Sequence, residues 1–225
     1  RIITSLPDGV GAQSIAVAAQ SGGRRSVVML LLKQDFGITD AYVIPCNSAS
    51  EQRRLLDEIS GHVEMHDVPL DYIDVAIKAA LADGLRTGHP PAPGLVDVID
   101  VLGIPDMRPD VMKVTDWIAA LDPEGTIPAM SPQKRGRLIN AAEEWHADSL
   151  MAESWFEENA DIQEALSGAI TSVSREKAVW RYLETRRDRW ALVIARTAAV
   201  LASSNTGSRD DAFALAGTAW AMEDG

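Results

Sequence analysis

The feature that most constrains this chain is a change of hydrophobic period near Cys46. Residues 1–45 alternate apolar and polar side chains like short strands, whereas almost everything after Ser48 recurs at helical spacing. A sheet written first and helices written second define an α+β protein, mostly α.

Four strands account for the first segment, at 2–6, 13–20, 24–33 and 38–44. The breaks between them carry turn chemistry: Pro7-Asp8-Gly9, Ser21-Gly22-Gly23 and Asp35-Phe36-Gly37. Connections this short favour an antiparallel meander. Both faces of the third strand are apolar, Val27, Met29 and Leu31 on one and Val28, Leu30 and Leu32 on the other, so this strand is expected to be central and covered twice.

Beyond Pro45 the helix starts are well marked. Ser48-Ala49-Ser50-Glu51 reads as a capping box, with Gly61 as a stop. Pro69 opens a second helix with Tyr72, Ile73, Ala76, Ile77 and Ala80 inward. The segment 88–94, Gly-His-Pro-Pro-Ala-Pro-Gly, interrupts the helical pattern and is the candidate boundary between a meander-plus-two-helices unit at 1–87 and a helical bundle at 94–225; one continuous domain is the alternative. Short helices are expected at 94–102 and 110–121. Ser131-Pro132 then starts a long helix reaching about Glu158, Ser174 caps another, and Ser208 with Asp211 caps the last. The two long helices carry seams, Leu138, Ala141, Trp145, Ala152 and Trp155 on one and Trp180, Leu183, Trp190, Ile194 and Leu201 on the other, which predict that they pack together.

The chain has 225 residues and a formal net charge of -12. The first 47 residues hold four basic and three acidic side chains, so the acidity belongs to the helical part. An acidic protein of this kind argues against a general nucleic-acid binder, which draws on clustered Lys and Arg. The longest apolar run, 27–32, falls far short of the roughly 20 residues of a membrane helix. A single cysteine and the absence of a signal-peptide pattern point to the cytoplasm. A start at Arg1, directly before a strand, suggests a fragment of a longer protein.

The sharpest constellation of chemical groups is Asp8, Glu51 and Asp67. A strand-end carboxylate, a meander, a helix carboxylate and a second strand-end aspartate resemble the order in the ribonuclease H-like nucleases. That resemblance, covering at most residues 1–85, implies a divalent-metal cofactor and metal-activated water. Asp8 departs from the pattern by sitting in a Pro-Asp-Gly turn, and no strand after residue 85 completes the sheet. Local roles account for the same residues: turn former, capping-box partner and helix cap.

His62, Glu64 and His66 would share one face of a fifth strand and could ligate zinc. Glu143 and His146 form Glu-x-x-His, half of a di-iron motif, without a second copy among the four histidines. Cys46, just before a helix start, is either a nucleophile or a small half-buried residue. Gly9-Val10-Gly11 lacks the Lys-Ser/Thr of a phosphate loop. Arg186, Arg187, Arg189 and Arg196 read as one basic helix face. The expectation from all this is a cytoplasmic protein-interaction or regulatory module working through a protein partner or self-association, with a metal-dependent hydrolase as the alternative.

Overall fold

The structure is a computed structural model that describes residues 1–103, 108–150, 152–155, 166–167 and 171–224. It opens with β1 (Ile2–Ser5), β2 (Ala12–Ser21), β3 (Arg24–Lys33) and β4 (Gly37–Cys46), followed by α1 (Ala49–His62) and β5 (Met65–Asp67). The strands form one antiparallel sheet in the order β4-β3-β2-β1-β5. The β2–β3 loop is Gly22-Gly23, with φ of 56° and 79°, the pairing of positive angles that a tight hairpin of correct twist requires. The expected meander is therefore present, and the fold is α+β, mostly α.

Interior position of β3 is confirmed, between β2 and β4, although the middle strand of the five is β2. Its two apolar faces are covered unequally. Val28, Leu30 and Leu32 enter the main core, while Val27 joins a small outer core with Ile3, Ala16, Cys46 and Leu56 under α1. Helix α1 covers only part of that outer face, so Leu31 reaches the surface. Gln52 fastens α1 to the hairpin below, its Nε2 donating to the carbonyls of Ala19 at 2.9 Å and Ser26 at 2.7 Å.

The inner face carries α2 (Leu70–Thr87) and α3 (Leu95–Leu102). The inward set expected for α2, Tyr72, Ile73, Ala76, Ile77 and Ala80, is buried throughout. The Pro/Gly segment at 88–94 lies along β4: Ala92 N–H donates to the Ile38 carbonyl at 2.9 Å, and Gly94 abuts the Ala41 carbonyl. One main core runs past it from the sheet into the helices.

The remaining elements are α4 (Val114–Leu121), α5 (Pro132–Asp148), a single 3-10 turn at Ala152–Ser154, α6 (Ser172–Ser203) and α7 (Arg209–Asp224). Helix α5 ends at Asp148, short of the expected 158, and residues 156–158 lie outside the described ones. The predicted pairing of the two long helices is corrected in part: α7 packs on both α5 and α6, while among the described residues the two seams meet where the Trp155 ring lies 6.1 Å from that of Trp190. The seams chosen by large side chains hold at Trp145, Ile194 and Leu201, which reach the main core, and fail at Ala141 and Trp180. In α5 Ala142 is buried and Ala141 exposed; in α6 the buried stripe is Ala191, Ala195, Ala198 and Ala199, with Trp180 at 65% exposure. Small residues let backbones approach closely, as where Gly217 of α7 meets Leu138 of α5. No helix among the described residues is long and apolar enough to cross a membrane.

Candidate functional site

The sheet holds the three carboxylates of the nuclease-like pattern apart. Asp8 closes the β1–β2 turn, its Oδ1 accepting from the N–H of Val10 at 2.9 Å and Ala12 at 2.7 Å. Asp67 stands opposite Ile3 on β5 and pairs with Arg1 at 3.0 Å. Asp8 is five residues further along the chain from Ile3, past the end of β1. Glu51 lies beyond β2 and β3, at the end of β4, where its Oε2 accepts from Asn47 N–H at 2.7 Å while Ser48 Oγ caps Glu51 N–H at 3.1 Å. Each thus performs a local structural role.

The histidine set is also split. His62 is the exposed last residue of α1, Glu64 is in the following loop, and only His66 belongs to the three-residue β5. The alternation that would align all three does not operate, because the strand is too short. His66 is 7% exposed, opposite Thr4 on the inner face; its Nε2 lies 3.5 Å from Glu64 Oε1, and neither ring nitrogen has a hydrogen-bond partner. Burial pushes its pKa below the usual imidazole value, against the opposing pull of Glu64. Glu143 and His146 are exposed on α5, and His146 packs its ring 5.9 Å from that of Trp155. Cys46 is a buried thiol in the outer core. Among the described residues no group of three His, Cys, Asp or Glu is gathered as a metal site.

A different set of polar residues converges. Arg196, expected on a basic helix face, is 8% exposed and points into the sheet: Nη2 donates to Gln13 Oε1 at 2.7 Å and Nη1 to the Gly11 carbonyl at 3.3 Å. Gln13 passes the connection on, its Nε2 within reach of the Tyr72 hydroxyl at 2.7 Å, Thr4 Oγ1 at 3.0 Å and the Ser5 carbonyl at 3.2 Å. No carboxylate among the described residues pairs with the guanidinium. Burial accordingly lowers the Arg196 pKa and raises that of Tyr72. Arg189 donates to the Gly9 carbonyl and Trp155 Nε1 to the Pro7 carbonyl at 3.0 Å, so α6 and the 3-10 turn clasp the β1–β2 turn from one side. These contacts lock the helical part onto the sheet.

Two depressions flank this lock. One is a cleft of about 590 Å³ between α2, α4, α6 and α7, with Tyr72 and Trp117 among its walls and Asp71 and Arg209 as its charged groups. The other is a shallow trough of about 650 Å³ along α6, bordered by Trp155, Trp180, Leu183, Trp190 and Met222. Sequence reasoning missed the cleft and the lock together. A signal for Arg196 was present: it is embedded in Ala195, Thr197, Ala198 and Ala199, a stretch too apolar for a solvated face.

Residues 115–225 match the family described as the Y4lR C-terminal helical domain, a stretch that begins within α4. Over 217 residues, 96% of this chain, the sequence is 33% identical to the uncharacterized protein y4lR of Sinorhizobium fredii (strain NBRC 101917 / NGR234), of which the match covers 41%. No solved structure matches. The chain thus spans about two-fifths of the length of the curated relative that it resembles.

Proposed function

We propose that this chain is a protein-interaction module, cytoplasmic, that assembles with a second copy of itself through the outward half of α6. The observation that carries the reading is the unequal use of one helix. Residues 191–201 of α6 are almost all buried, whereas on the preceding turns Trp180 and Leu183 stand exposed on the same stripe as Trp190 and Ile194. An aromatic anchor beside a trough is the usual form of an energetic centre in an interface.

Charge selects the occupant. Lys177 and Arg181 are exposed near Trp180, and Glu143 and Glu144 are exposed on α5, whose His146 borders the same trough. A two-fold arrangement sets the basic turns of each α6 against the acidic face of the other copy's α5, with the Trp180 stripe supplying apolar area between them. Sedimentation equilibrium tests this directly. A dimer that weakens with added salt and dissociates in Trp180→Asp is expected; a monomer at every concentration, or a dimer indifferent to Trp180→Asp, overturns the proposal.

A further inference from the structure

The cleft between α2, α4, α6 and α7 falls within the size range of pockets that hold a small organic molecule. It exists because Ala120, Ala199, Ala202 and Ala212, from three helices, are too short to fill the space between them. Tyr72 and Trp117 are buried there with ring centroids 6.1 Å apart. Since the Tyr72 hydroxyl is bound to Gln13, Tyr72 offers the cleft chiefly its ring. These walls suit an apolar body.

Two charged groups border the cleft. Asp71 has a local reason to be where it is: it lies in the first turn of α2, where a carboxylate offsets the positive helix end that Pro69 leaves without a side-chain cap. Arg209 has none. It is the first residue of α7, where the helix dipole disfavours a cation and Asp210 and Asp211 already serve that end. It makes no hydrogen bond or ion pair with any described residue. Such a guanidinium, beside an apolar pocket, is complementary to an anion that brings its own apolar surface.

We propose that the cleft binds a small carboxylic acid with an apolar body, the carboxylate meeting Arg209 at the start of α7 and the body lying against Tyr72 and Trp117. This is independent of the self-association proposed above. Titration calorimetry on the full chain with 4-phenylbutyrate and its uncharged analogue 4-phenylbutyramide tests it. Saturable one-to-one binding of the acid is expected, with the amide about tenfold weaker. Arg209→Gln should weaken the acid by about tenfold and leave the amide unchanged, and Asp71→Asn, by removing a like charge, should tighten the acid. Ala202→Phe, which fills the cleft, should abolish binding of both. Equal affinity for acid and amide, indifference of the acid to Arg209→Gln, or no saturable binding to the unmodified chain would each overturn the proposal.

Discussion

Arg196 of α6 and Gln13 of β2 meet at 2.7 Å inside the protein, joining the last third of the chain to its first hairpin through a buried guanidinium whose acceptors among the described residues are all neutral. An ion pair would tolerate some rearrangement because Coulomb attraction is long in range. Neutral hydrogen bonds are not so forgiving, so they tie the position of α6 closely to that of β2.

Gln13→Leu should therefore be costly, about 3–5 kcal/mol, because it leaves the buried charge with the Gly11 carbonyl alone and strands the Tyr72 hydroxyl. Arg196→Met removes the charge itself and should cost less, about 1–3 kcal/mol. The double variant should be more stable than the sum of the single losses implies. Urea denaturation of the four proteins measures the coupling; strict additivity would show that the two residues act separately.

His66 gives a pH dependence with a definite sign. Its folded pKa is lowered by burial, so the unfolded chain binds the proton first as pH falls, and stability is lost from about pH 6.5 downward until the folded value is reached. His66→Leu should flatten the dependence in that window. Thermal denaturation at a series of pH values checks it, and an unchanged slope in the variant would assign the acid sensitivity to other groups.

Two glycines should respond in opposite directions. A Cβ at Gly94 would stand 1.9 Å from the Ala41 carbonyl oxygen, so Gly94→Ala must push the connection off β4 and should cost several kcal/mol, about 2–4. Gly61 lies in α1 with nothing within 4 Å of such a Cβ, and Gly61→Ala should stabilise by about 0.5–1 kcal/mol through helix propensity. Denaturation midpoints on either side of the unmodified protein are the expected readout.

Leu215 and Trp180 separate packing from surface. Leu215, 2% exposed in α7, should cost about 2–5 kcal/mol as Leu215→Ala, since the space it vacates cannot be refilled from both neighbouring helices at once. Trp180→Ala should change the stability of the isolated chain by no more than about 0.5 kcal/mol. A larger loss for Trp180→Ala would place that ring inside.

What was legible in the sequence depended on how local the determining interaction is. The β2–β3 hairpin was readable because Gly22-Gly23 can hardly do anything else between two apolar runs, and the inward face of α2 because five residues repeat at helical spacing. The end of α1 was nearly right, running one residue past Gly61. The order of helices in the C-terminal part was not readable from seams of large side chains, since α6 packs through alanines, whose periodicity hardly differs from a background rich in Ala. β5 is too short for any alternation to declare itself. The Arg196 lock depends on a partner 183 residues away, and no local pattern reports which arginine of a run will find one.

The packing of α7 on both α5 and α6 bears on how the protein is made. About sixty residues separate the end of α5 from the start of α7, an interval of several seconds at ordinary rates of synthesis, whereas a helix forms in under about a microsecond. Helix α5 waits through that interval without the cover that α7 gives it, although in the finished fold Ala142 and Trp145 join the main core. Expressed without α7, the helical part would therefore expose this surface and be prone to aggregate.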